Sequence, residues 1–248
     1  MKLIPEWYEH QYCLIAWPCN KDLYGKIINK ARDEVANVIN EIAKTEHVIV
    51  FSNKEDINEI QNKTDHKNID IVECKLDDSW MRDIAPIFYI EDEKLKSISF
   101  EFNGYGKYPD YLNDNKISKF ISNYLNIPTK ISDLVIEGGA ITYDDKKNLF
   151  STKNVIFNKN RKQKHNSEYI IKELKLLFDL NYIFLFENGL MEDDTDGHVD
   201  NLLCPIGKNQ YLIATTHKLD PNYEILEKNK TDLIKFFKDT NQTFDLIE

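Results

Sequence analysis

Three turn-like segments, each following an apolar strand-like run, carry acidic residues at related intervals, and this repetition limits the possible folds more than any other feature. They are Asp77-Asp-Ser-Trp-Met-Arg-Asp83, Glu137-Gly-Gly139 and Asp193-Asp-Thr-Asp-Gly-His-Val-Asp200. With Asp83, Glu137 and His198 as markers the intervals are 54 and 61 residues, the size of a repeated supersecondary unit. If such units share an axis, their strand ends gather the marked groups into one pocket.

The segments between the markers alternate helix and strand. Ile27, Ala31, Val35, Val38, Ile39 and Ile42 fall on one helical face over 26–44, and the apolar run His47–Phe51 reads as a strand. Ser52 and Glu55 have capping-box spacing for a short helix, ahead of a second strand at Ile69–Val72. Helical patterns near 114–125, 166–180 and 222–238 adjoin β-rich runs at Ser97–Phe102, Tyr182–Phe186 and Tyr211–Thr215. Such alternation predicts an α/β architecture.

The bulk numbers fix the setting. A chain of 248 residues, 42% hydrophobic and 12% aromatic, can bury a substantial core. Its net charge of −10 argues against a nucleic-acid partner, which requires clustered Lys and Arg, and agrees with a small cationic ligand. No apolar run approaches the length of a membrane span and no signal-like stretch opens the chain, so the expected location is cytoplasmic, with no membrane partner. Cys13, Cys19, Cys74 and Cys204 form no CxxC pair, so reduced, buried thiols are expected.

Each marked segment admits a plain reading and a chemical one. The Asp77–Asp83 segment is either a solvated charged turn or a cation-gripping site. In the second case a carboxylate accepts a bidentate bond from a planar cation while Trp80 lends a π-face. His198 and Asp200, two apart, share a face if extended; the alternative is a structural His–Asp pair. A divalent-metal site on Asp194, Asp196, His198 and Asp200 is a further alternative, although the EF-hand pattern is unmet and no metal or cofactor is expected. Phe102-Asn-Gly-Tyr-Gly106 has part of a glycine fingerprint and reads as a flexible loop with an aromatic tip.

Taken in order, these segments resemble the agmatine deiminase branch of the peptidyl-arginine deiminase-like family. Pro5-Glu-Trp-Tyr-Glu-His10, Ala16-Trp-Pro18, Asp78-Ser-Trp-Met-Arg-Asp83, Phe102-Asn103, Glu137-Gly-Gly139, Asp194-Thr-Asp-Gly-His-Val-Asp-Asn201 and Asp220-Pro-Asn-Tyr-Glu-Ile225 carry the resemblance from end to end. It implies a pentein fold, an α/β propeller of five ββαβ-type units. About four of these are expected in a single domain spanning 1–248. It also implies hydrolysis of agmatine to N-carbamoylputrescine and ammonia, in putrescine and polyamine biosynthesis. Peptidyl-arginine or free arginine are alternative substrates, and a non-catalytic guanidinium-binding remnant is an alternative function. By this resemblance Asp83 and Asp200 grip the guanidinium, His198 handles protons, and Glu137 lies near the guanidinium or orients His198. Trp80, Asp194, Asp196 and Tyr105 are expected around the substrate, Arg82 is expected to be structural on the opposite face, and the full-length protein could assemble as a homodimer.

One departure stands out. The nucleophile should be a cysteine in a Gly-Gly-Gly-x-x-His-Cys-like segment of the last unit, and none of the four cysteines fits. The chain ends on the apolar run Thr243–Glu248, where a further strand should start, so a truncated or interrupted member, inactive alone, is expected.

Overall fold

Parallel strands need a crossover between them, and this chain meets that need locally, in four small sheets rather than one wide one. A computed structural model describes residues 1–64 and 67–248. After a short opening strand β1 (Lys2–Leu3), the first sheet takes β2 (Tyr12–Ala16), β3 (His47–Ser52) and β4 (Ile69–Glu73), all parallel. Helices α1 (Ile28–Ile42) and α2 (Ile57–Lys63) make its two crossovers. A one-turn helix α3 (Met81–Ile84) then leads out of this sheet.

The remaining three sheets repeat one pattern. An antiparallel hairpin is followed by a helix, and the third strand returns parallel to the second. The first instance is β5 (Ile87–Glu91), β6 (Lys94–Glu101), α4 (Asp114–Tyr124) and β7 (Thr129–Val135), with β1 added antiparallel to β5. The second is β8 (Thr142–Tyr143), β9 (Asn148–Thr152), α5 (Ser167–Phe178) and β10 (Tyr182–Phe186). The third is β11 (Leu203–Gly207), β12 (Gln210–Ile213), α6 (Tyr223–Asp239) and β13 (Asp245–Ile247). These are ββαβ units, and the all-parallel first sheet differs from them.

Each marker follows the closing strand of a sheet. Asp83 comes after β4, Glu137 after β7 and His198 after β10. Equivalent positions in successive sheets therefore deliver the chemically distinctive side chains to one region.

Two local expectations change. The buried face of α1 is Arg32, Ala36 and Ile39, continued by Ala43, whereas Ile27 and Val38 are 62% and 53% exposed. A charged residue displaces the apolar phase because its charge is paired with two carboxylates. Arg32 pairs with Asp56 at 2.8 Å and Glu59 at 2.5 Å, and its Nε donates to the Pro18 carbonyl. The Ser52/Glu55 capping box does not form. Asn53 precedes the turn into α2, and its side chain instead bonds both the N–H and the carbonyl of Leu76.

The core is divided among the sheets. In β3, Val48, Ile49, Val50 and Phe51 are all fully buried, as befits a central parallel strand covered on both faces. Around the last sheet, Phe150 is enclosed by Phe184, Tyr211, Phe236 and Phe237, with ring centroids 5.9 to 6.4 Å away. Among the described residues no helix is long and apolar enough to cross a membrane. Phe150→Ala removes a ring from a site with little room to collapse, so urea unfolding is expected to show a loss of about 3–5 kcal/mol.

Candidate active site

Asp83, set in α3, is buried and bonded at both oxygens. Its Oδ1 accepts from the Gly139 N–H at 3.0 Å and its Oδ2 from the Tyr105 hydroxyl at 2.7 Å. His198 Nδ1 lies 3.6 Å from Asp83 Oδ1, and His198 Nε2 lies 3.8 Å from Glu137 Oε2. Both His198 and Glu137 are almost wholly buried, and neither Nε2 nor Oε2 has a hydrogen-bond partner. At 3.8 Å their coupling is charge attraction rather than a hydrogen bond.

Asp200 completes the group. His198 and Asp200 do not lie on a strand, as their spacing suggested, because Val199–Asn201 forms a tight 3-10 turn with His198 at its start. The two side chains nevertheless meet. A methyl group built on Gly139 would lie 2.5 Å from His198 Nδ1, 2.6 Å from Asp200 Oδ2 and 2.8 Å from Asp83 Oδ1. Three polar groups from two separate turns thus converge on a space that only glycine leaves open.

Further residues hold these groups in place, and sequence reasoning named only some of them. Asp193 binds the loop ahead of His198 by accepting from the backbone N–H groups of Thr195, Gly197 and His198 at 2.9 to 3.1 Å. Arg161, 1% exposed, donates to Glu137 Oε1 at 2.8 Å, the Tyr105 carbonyl at 3.0 Å, Asp196 at 2.5 Å and the Thr195 carbonyl at 2.6 Å. It lies in the polar run Lys159-Asn-Arg161, where nothing in the spacing marked it. Tyr105 is not an exposed tip: it is buried and held at φ 58°, a region that side chains rarely adopt. Its bond to Asp83 and its ring contact with His198, centroids 5.9 Å apart, fix it there.

Other sequence expectations are redirected. Asp196 is occupied by Arg161 and Lys107, the latter at 2.7 Å, and does not join the group around Gly139. The metal quartet therefore does not assemble, since His198 and Asp200 face Gly139 while Asp196 faces these cations. Arg82 lies on a helix rather than an extended face, and its guanidinium reaches Glu6 at 2.5 Å.

Burial and charge work against each other here. Burial holds the Asp83 and Asp200 carboxyls above the usual range, although His198 pulls both down. Burial alone would lower His198, but Glu137, Asp83 and Asp200 outweigh it and raise the imidazole above its ordinary value. Glu137 goes the opposite way: burial would raise it, and His198 and Arg161 bring it below the ordinary range.

From Asp83 a cleft of about 420 Å³ opens outward, walled by Trp80, Phe102, Tyr105 and Tyr108. Asp22, Asp78, Asp110, Asp114 and Asp194 also line it, and among the described residues no Lys or Arg does. Trp80 is anchored by its indole N–H, which donates to Asp78 at 3.0 Å. Burial and the neighbouring Asp77 and Asp78 push Asp114 up to about 7.

The family model described as Porphyromonas-type peptidyl-arginine deiminase matches residues 2–248. The chain belongs to that family. A Legionella pneumophila relative, provisionally named an agmatine deiminase, is 32% identical over 246 residues, which is 97% of this chain and 70% of the relative. Pseudomonas aeruginosa agmatine deiminase is 30% identical over 226 residues, covering 88% of this chain and 61% of that enzyme. The solved structure of a cysteine-to-serine variant of C. jejuni agmatine deiminase with substrate bound has a TM-score of 0.89 and 28% identity, over 100% of this chain and 73% of that one. The fold is the pentein fold of these agmatine deiminases, and the family is one of hydrolases.

Among the described residues no thiol is set up as a thiolate. All four cysteines are free, only Cys74 is buried, and burial raises each one, Cys19 and Cys74 to about 12.

Gly139→Ala is expected to leave the fold intact and force the His198 cluster apart. With its carboxylates withdrawn, His198 should titrate nearer its ordinary value in a side-chain NMR titration; an unmoved His198 would contradict the crowding. A raised imidazole contributes stability that is fully present below its unfolded value of 6.5 and is lost as pH rises through the folded one, so the variant should lose most stability in acid.

Proposed function

We propose that this chain carries the guanidinium-gripping part of an agmatine deiminase, with the attacking thiol supplied from outside these 248 residues. The observation that carries the reading is the convergence of Asp83, Asp200 and His198 on the open space above Gly139, beside a Glu137 oxygen with no partner. A guanidinium is resonance-stabilised and reacts only when held cationic and fixed. Asp83 and Asp200 would hold two of its nitrogens by charge-assisted bonds, which add geometry as well as energy. A thiolate would then attack the central carbon, and His198, charged by its carboxylate neighbours, would give its proton to the departing ammonia. Water activated by His198 would break the thiouronium intermediate, releasing N-carbamoylputrescine and restoring the thiolate. The net change is one water consumed and one ammonia released, a step suited to putrescine synthesis.

The cleft supports agmatine over arginine. Its aromatic walls and five further aspartates would accept an alkyl chain ending in an ammonium, and without a lining Lys or Arg it offers a carboxylate nothing to pair with. Trp80 and Tyr105 serve as walls and Asp194 lies at the rim, whereas Asp196 acts by fixing the loop. A second reading, a guanidinium-binding module without turnover, draws support from the four raised thiols.

Calorimetry on the chain tests both. Agmatine should bind more tightly than arginine, and no ammonia should be released; equal binding would sink the substrate assignment, and ammonia release would sink the external nucleophile. Asp83→Asn or Asp200→Asn should weaken agmatine at least about tenfold, as befits a lost charge-assisted bond. Because both carboxyls stand above the usual range in the empty site, a bound cation lowers them and expels protons. Affinity should therefore keep rising with pH above the usual carboxylate range and level off once both are ionised.

A further inference from the structure

We propose that Arg161 is a positioning residue for this site: its guanidinium holds Glu137 Oε1 so that Oε2 is left facing His198 Nε2, and it ties the loop carrying His198 to the one carrying Tyr105. The proposal deepens the function proposed above and rests on it for its ligand. Three observations support it. First, the guanidinium bonds four separate points, Glu137, the Tyr105 carbonyl, the Thr195 carbonyl and Asp196, at 2.5 to 3.0 Å. Second, its central carbon lies over the Tyr105 ring, 5.8 Å from the centroid, and its own carbonyl accepts from Asn103 at 2.9 Å, so both ends of the residue are held. Third, only one Glu137 oxygen is used, and the unused one and His198 Nε2 are both buried without a hydrogen-bond partner, as is Oδ1 of Asn103.

The consequence is electrostatic as well as steric. A buried carboxylate that faced only His198 would be expected to take up a proton, because burial disfavours its charge. The Arg161 cation offsets that burial and helps hold Glu137 below the ordinary range. The groups facing Glu137 are then Arg161, His198 and, more distantly, Asp83 and Tyr105. With Glu137 fixed as an anion, His198 retains its proton and the unused oxygen is a pure acceptor. Held by four bonds from its Nε, Nη1 and Nη2 groups, Arg161 is also unable to swing out and clamp a substrate carboxylate.

The test uses Arg161→Gln and Arg161→Lys in the full chain, with two readouts. Without ligand, carboxyl-carbon NMR should show Glu137 titrating below its ordinary value in the parent and in Arg161→Lys, and above it in Arg161→Gln. A residue that merely braces the fold would lower the melting temperature of both variants without moving Glu137 differently in the two. With agmatine, Arg161→Gln should bind at least about tenfold more weakly, as expected for loss of a charge-assisted anchor. Arg161→Lys, which keeps the charge but loses the planar fork, should fall by a few-fold. If Arg161→Gln fails to fold, Arg161→Lys still decides: parent-like agmatine affinity there would overturn the proposal. Failure of the parent chain to bind agmatine would instead remove the functional reading, while the ligand-free titration would still report on the Arg161–Glu137 couple.

Discussion

A carboxylate enclosed almost completely by protein is the constraint around which this site is organised. Glu137 is 1% exposed, and an anion taken that far from water must be offset by fixed positive partners or give up its charge. Arg161 on one side and His198 on the other are those partners. Each of them is buried in turn and has to be held by something else, and so the demand spreads outward. Arg161 draws in Asp196, Thr195 and Tyr105; His198 draws in Asp83 and the Asp193-capped loop. Segments far apart in sequence are thereby fixed to one another by charge rather than by apolar packing.

The sheets supply the frame for this arrangement. Each is too small to form a core alone, and each shares its apolar residues with the helices packed against it, which is why the hydrophobic interior is divided into several clusters. Asp83, Glu137 and His198 all follow the closing strand of a sheet, but the path from strand to marker differs: Glu137 comes directly after β7, whereas His198 ends an irregular segment that runs from Phe186 and has to be held in order. The segments beyond the strands differ in kind as well. One is a helical turn, one a Gly-Gly bend and one an Asp-capped loop.

Much of this was legible in the sequence, and the gaps have physical causes. The alternation of helix and strand was readable because amphipathic periods are strong over ten residues or more, and Tyr182–Phe186 is found at the bounds its apolar run suggests. The marker spacing anticipated that Asp83, Glu137 and His198 come together, because repeats impose a period on polar residues too. The phase of α1 was misplaced because hydrophobicity alone cannot anticipate a buried arginine whose partners, Asp56 and Glu59, lie well downstream. Arg161 escaped notice for the same reason. Its partner Glu137 is remote in sequence, and its own neighbours, Lys159 and Lys162, have the look of an ordinary solvated run. Tyr105 was misjudged because flanking glycines suggest mobility, whereas here they accompany a backbone pinned by a tyrosine hydroxyl on Asp83.

The close pass of Gly189 against Gly197 fixes how the chain enters the site. A methyl group on Gly189 would sit 2.2 Å from the Gly197 Cα, so the two backbones touch and the stretch between them forms a closed clasp directly before His198. One residue added or removed between the two glycines would shift His198 along the chain relative to Gly139, so the number of residues in the clasp acts as a ruler for the site.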